Sequence, residues 1–117
     1  MRPTVLIVDD HAGFRASASA LLEAEGFSVV GEAADGGTAI AEVARLRPEV
    51  VLLDVQLPDA DGFAVAAELA AVAEPPAVVL ISSRDAASFG PRLTTAPARG
   101  FLSKRELSGA SLASLVG

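Results

Sequence analysis

Four short apolar runs, the first three each followed by residues at helical spacing, restrict this chain more than any other feature. TVLIV (4–8), FSVVG (27–31), VVLL (50–53) and AVVLI (77–81) are rich in β-branched residues. Their length suits strands, and their lack of polar alternation suits strands buried on both faces. Between them, Phe14, Ala18, Leu21 and Leu22 mark one helical face, Ile40, Val43 and Ala44 a second, and Phe63, Ala66, Ala67 and Ala70 a third. A short fifth strand from Gly100 to Leu102 precedes a last helix outlined by Leu112, Leu115 and Val116. Gly26, Pro48 and the pair Pro75 and Pro76 stand where the first three helices would stop. Strand and helix alternate, which predicts an α/β fold with a parallel sheet between two helical layers. The 117 residues suit a single domain, 1–117.

One segment breaks the alternation. SSRDAASFGPRLTTAPARG (82–100) should hold a fourth helix, yet Gly90, Pro91 and Pro97 interrupt it. The expectation is a short or irregular helix starting near Pro91, with rapid amide exchange from Phe89 to Thr95.

Composition removes several function classes. There is no cysteine and one histidine, so neither a disulfide framework nor a dedicated zinc centre is expected. No apolar stretch approaches the roughly 20 residues that cross a bilayer, and MRPTVLIVDD lacks the apolar core of a signal peptide. A cytoplasmic setting without membrane contact is therefore expected. A net charge of -6 supplies no basic footprint, so direct nucleic-acid binding by this chain is not expected.

In open α/β sheets, ligands sit beyond the carboxyl ends of the strands. Asp9 and Asp10 end the first run and Asp54 the third, while Ser82 and Ser83 follow the fourth and Lys104 the fifth. If strands one and three are neighbours, three carboxylates converge. Their repulsion calls for a proton, a cation or an ammonium, and oxygen donors suit Mg²⁺. One carboxylate could then attack phosphorus, with the ion and Lys104 offsetting charge on the phosphoryl oxygens. Each residue also has a plainer role. Asp9 or Asp10 could cap the helix beginning near His11, Asp54 could serve a turn, Ser82 could satisfy a backbone group, Lys104 could be solvated, and His11 reads as a loop residue.

Taken together, VLIVDDH, GEAADGGTAI, VVLLDVQLPDADG, LISS and GFLSK resemble, in order and spacing, the receiver domain of two-component response regulators. The style is closest to the nitrate/nitrite-regulator class, whose members usually carry a helix-turn-helix domain after the receiver; no output domain is expected within this chain. The resemblance implies a flavodoxin-like, doubly wound (βα)5 fold with a five-stranded parallel sheet of order 2-1-3-4-5. It implies that Asp54 accepts a phosphoryl group from a sensor histidine kinase. It further implies that Asp10, Asp54 and the Gln56 carbonyl ligate Mg²⁺, with Asp9 holding the ion through water. Lys104 would pair with Asp54 and then with the phosphoryl group. Ser82 would be the switch hydroxyl and Phe101 the switch aromatic. The face of helix four, strand five and helix five would then control an output domain, a downstream protein or a homodimer. Arg105 stands where many receivers have proline, and the Gly90–Pro91 pair falls in that output face. Two other classes stay open at this stage: a pseudo-receiver that binds proteins without phosphorylation, and an aspartyl phosphatase or mutase. The latter class has a second acid two residues after the nucleophile, where this chain has Gln56.

Overall fold

The computed structural model describes residues 2–117. Five strands, β1 (Thr4–Val8), β2 (Ser28–Ala33), β3 (Val50–Asp54), β4 (Ala77–Ser82) and β5 (Gly100–Ser103), form one sheet. Every pairing is parallel, and the order is β2-β1-β3-β4-β5. Helices α1 (Ala12–Ala24), α2 (Gly36–Leu46), α3 (Gly62–Ala70), α4 (Arg92–Thr95) and α5 (Gly109–Val116) link and follow the strands.

The unbroken apolar runs follow from covering both faces. Successive side chains of a strand point to opposite sides, so one run must satisfy two cores. Leu6, Val8, Val51, Leu53 and Leu80 pack with Val43 of α2 and Val65 and Leu69 of α3. Val5, Ile7, Val50, Leu52, Val79 and Ile81 pack with Ala18 and Leu22 of α1 and Leu112 of α5.

Both boundaries of β2 differ from expectation. β2 begins one residue late and runs to Ala33, past the expected end at Gly31. The register steps from Val5–Val29 to Leu6–Gly31, so Val30 bulges outward at the edge of the sheet. That extra length lets the Ala33 carbonyl accept a hydrogen bond from the Asp9 N–H at 3.0 Å.

The segment between β4 and β5 is irregular, as the sequence predicts. A 3₁₀ turn, Ala86–Ser88, precedes the four-residue α4, with Pro91 at the N-cap position. Gly90 holds a left-handed φ of 55°, which ends the first turn before the second begins. The bonds here are long: Arg92 N–H to Phe89 O is 3.4 Å and Leu93 N–H to Gly90 O is 3.3 Å. Amides from Phe89 to Thr95, which lie largely at the surface, are expected to exchange far faster than those of β3. Hydrogen-exchange mass spectrometry checks this; comparable protection in the two segments would contradict it.

Candidate functional site

The switch point of the sheet lies between β1 and β3. Their register pairs Val8 with Leu53, so the next residues, Asp9 and Asp54, emerge side by side. Asp9 is fully buried and Asp54 nearly so, whereas Asp10 and His11 are exposed. Asp9, Asp10, His11 and Asp54 each present one ligand atom, all within 4.8 Å of one another. Neither Asp9 nor Asp10 caps α1 as the plainer reading had it: His11 takes the N-cap position, without a side-chain cap. Instead Asp9 Oδ1 accepts the His11 backbone N–H at 2.8 Å.

Lys104 enters from β5. Ser82 pairs with Ser103, so Lys104 follows the end of the sheet and opens a 3₁₀ turn, Lys104–Glu106. That turn is closed by a capping box in which the Ser103 N–H and Oγ donate to Glu106 Oε1 at 3.0 and 2.8 Å. The ammonium then sits 2.6 Å from Asp9 Oδ2 and 3.4 Å from Asp54 Oδ2. It also lies 4.6 Å from the centre of the Phe14 ring. Lys104 thus stands closer to Asp9 than to Asp54, the partner implied by the resemblance. Asp9 Oδ2 is buried, and the group that faces it is the Lys104 ammonium. Its compensation is the close positive charge.

These neighbours split the two buried acids. At Asp9, burial opposes ionisation, but the Lys104 bond and charge and the His11 N–H hold the carboxyl below its ordinary range. At Asp54, burial dominates and pushes the group up to about 6; the negative Asp9 adds to the rise, while the Gln56 N–H and Lys104 oppose it. A carboxyl whose folded pKa exceeds its unfolded one favours folding most below the unfolded value. That contribution is lost as pH rises through the folded pKa. Without divalent ions, Asp54→Asn should therefore stabilise the protein at about pH 8 by roughly 2 kcal/mol, and by little at about pH 4. Urea titrations of both proteins at the two pH values test this, and a gain independent of pH would contradict it.

The other expected residues lie around this group. Gln56 reaches Asp54 through its backbone N–H, which donates to Oδ1 at 3.1 Å. Ser82 is buried at the end of β4, one residue past the partner of Asp54, and its Oγ accepts the Arg84 N–H at 3.0 Å. Phe101 is half-buried on the α2 and α3 side of the sheet. Its ring meets Phe89 at 5.6 Å, and Phe89 meets Phe63 at 6.0 Å. This aromatic row joins the helix-four region to the start of α3, where Arg92 lies over Phe63 and pairs with Asp61.

Several contributors escaped the sequence reading. His11 places Nδ1 3.0 Å from Asp9 Oδ1 and 3.1 Å from Asp10 Oδ1. Arg15 donates to the Asp9 carbonyl and to Glu32. Asp59 accepts the Gly36 and Gly37 N–H groups at 2.7 and 3.0 Å, tying the loop after Asp54 to the start of α2. Position just after the acidic pair was a usable signal for His11, Phe14 and Arg15. Nothing local marks Asp59, whose partners lie 23 and 22 residues away.

A parallel five-stranded sheet with buried acids at its switch point and a lysine from the last strand defines a class of signalling domain. The family model for the response regulator receiver domain matches residues 5–115. The chain belongs to that family. It is 39% identical over 102 residues to a transcriptional regulator of Pseudomonas aeruginosa, covering 87% of this chain and 49% of that protein. It is 37% identical over 103 residues to BvgA of Bordetella pertussis, named as a positive transcription regulator of virulence factors, with coverage of 87% and 49%. The chain thus spans about half the length of these curated relatives. The receiver domain of NarL from Mycobacterium tuberculosis superposes with a TM-score of 0.86 at 34% identity, covering 99% of this chain and 98% of that one. Among the described residues, no helix is long and apolar enough to cross a membrane.

Proposed function

We propose that this receiver accepts a phosphoryl group on Asp54 in a Mg²⁺-dependent reaction with a sensor histidine kinase. The observation that carries this reading is the gathering of four ligand-bearing residues beside an ammonium at the switch point of the sheet. The donor set fits the ion: Asp9, Asp10 and Asp54 offer hard oxygens within 4.8 Å of one another. Asp10, Asp54 and the Gln56 carbonyl would ligate it, with Asp9 acting through water. When bound, the ion supplies charge that favours the Asp54 carboxylate and shields the phosphoryl oxygens.

The chain's own residues do the rest. An Asp54 oxygen attacks phosphorus, and the bond from phosphorus to the donor's imidazole nitrogen breaks. The electron pair leaves on that nitrogen, and with a hydrogen on the ring's other nitrogen the kinase imidazole departs neutral. Lys104 lies within reach of Asp54 Oδ2 and donates to the transferred group as its charge arrives at the site. Rigid β3 holds the nucleophile, since a strand keeps tighter geometry than a loop. The Ser82 hydroxyl then turns from the Arg84 N–H toward the new acceptor oxygens, and Phe101 shifts in the aromatic row with Phe89 and Phe63. The changed face of α4, β5 and α5 acts on an output domain or downstream protein, by a shift between two packings.

Incubation with acetyl phosphate and Mg²⁺ followed by intact mass measurement tests the reading. A gain of one phosphoryl group is expected, abolished by Asp54→Asn and by a chelator. No gain in the intact protein would favour a phosphorylation-independent binding module.

A further inference from the structure

We propose that His11 is a ligand of the acidic site and gives it a nitrogen-dependent affinity for first-row transition ions such as Mn²⁺, Ni²⁺ and Zn²⁺. This rests on the reading of the cluster as a divalent-cation site. His11 Nδ1 stands 3.0 Å from Asp9 Oδ1 and 3.1 Å from Asp10 Oδ1. Neighbouring ligands on an octahedral ion bound at about 2.1 Å stand about 3.0 Å apart, so Nδ1 already stands at ligand spacing from both carboxylate oxygens. Asp54 completes a set whose ligand atoms all fall within 4.8 Å. Ligands on opposite sides of that ion stand about 4.2 Å apart, so the group needs only a small contraction.

The imidazole has no other structural employment in its helix. His11 occupies the N-cap position of α1, but its side chain makes no capping bond there. The residue is fixed instead by its backbone N–H on Asp9 Oδ1. Its side chain is 70% exposed, so an ion arriving from solvent meets it together with Asp10. Asp9 Oδ2 faces the Lys104 ammonium at 2.6 Å, which leaves Oδ1 as the Asp9 atom beside Nδ1.

Donor chemistry separates the ions. Carboxylates serve Mg²⁺ and transition ions alike, whereas imidazole nitrogen discriminates strongly for the latter. In the neutral tautomer that carries its hydrogen on Nε2, the Nδ1 lone pair is free to take a transition ion. With Mg²⁺ the ring keeps its hydrogen bonds to the carboxylates and stays outside the coordination sphere.

The chain contains a single histidine, so its imidazole resonances assign themselves. Untagged, chelator-treated protein should be titrated with MgCl₂, MnCl₂ and NiCl₂ by calorimetry, as wild type and His11→Gln. The substitution is expected to weaken Ni²⁺ at least about tenfold and Mn²⁺ less, and to leave Mg²⁺ within about twofold. In wild type, Zn²⁺ but not Mg²⁺ should move the ¹⁵N resonance of Nδ1 into the metal-bound range. Equal losses for every ion, or an unmoved Nδ1 resonance with Zn²⁺ bound, would overturn the inference while leaving the Mg²⁺ site intact. Wild-type protein that binds no divalent ion would overturn the cation-site reading itself.

Discussion

Replacing Lys104 with methionine is expected to destabilise the fold by about 2–4 kcal/mol at about pH 7.5 in chelator. The ammonium is the near positive charge for two buried carboxylates, and its side chain is only 17% exposed. Methionine keeps much of the bulk over Phe14 and removes the charge, so the loss reports electrostatics and not a cavity. The pH sign follows from Asp9, held below its ordinary range against burial. A depressed carboxyl contributes stability above its unfolded pKa, and that contribution is lost as pH falls through the folded pKa. Without Lys104, burial raises Asp9, and protonation becomes the remedy. The difference between wild type and Lys104→Met should therefore shrink toward about pH 4 and should also shrink when excess Mg²⁺ replaces the missing charge. Urea titrations at both pH values, with and without Mg²⁺, measure it. A pH-independent loss would mean that Lys104 acts by packing.

The second large effect concerns Gly62, the first residue of α3. A Cβ built there would lie 2.3 Å from the Asp54 carbonyl oxygen and 2.7 Å from the Val55 Cα. Both are backbone atoms at the end of the strand that carries Asp54, so no side chain can swing aside. The Gly62 N–H also donates to the Val55 carbonyl at 2.7 Å, which fixes the separation. Gly62→Ala is expected to cost about 3 kcal/mol, near the upper end for overpacking. It should also slow phosphorylation of whatever folds, because relief requires Asp54 to move. Gly13 is the control: a Cβ there meets nothing within 4 Å, and Gly13→Ala in α1 should be neutral or slightly stabilising. Thermal melts of the two variants make the comparison, and equal melting points would refute the steric reading.

The readings converge on a compact division of labour. Asp9 is the acid whose ionisation is favoured, Asp54 the acid whose ionisation is opposed, and Lys104 the charge they share. Phosphorylation at Asp54 would add roughly 1.5 to 2 negative charges beside Lys104. The ammonium then has reason to leave Asp9 for the phosphoryl oxygens, and the aromatic row from Phe101 through Phe89 to Phe63 lies within reach of that change.

Much of this was written in the residues alone. Uninterrupted β-branched runs could be buried only on both faces, so TVLIV, VVLL and AVVLI dictated a sheet between helical layers. Gly90 and Pro91 dictated a broken fourth helix through their own backbone limits. Acids at the strand ends announced a site because a buried carboxylate without a partner is costly. The tertiary structure alone decided how those charges share partners. That Lys104 sits closer to Asp9 than to Asp54, that His11 Nδ1 stands near both Asp9 and Asp10, and that Asp59 ties its loop to the start of α2 all depend on distances between segments far apart in the chain or on side-chain directions at one sheet edge. Periodicity encodes which face a residue takes. Charge pairing depends on a few ångströms of separation, and only the assembled sheet sets those.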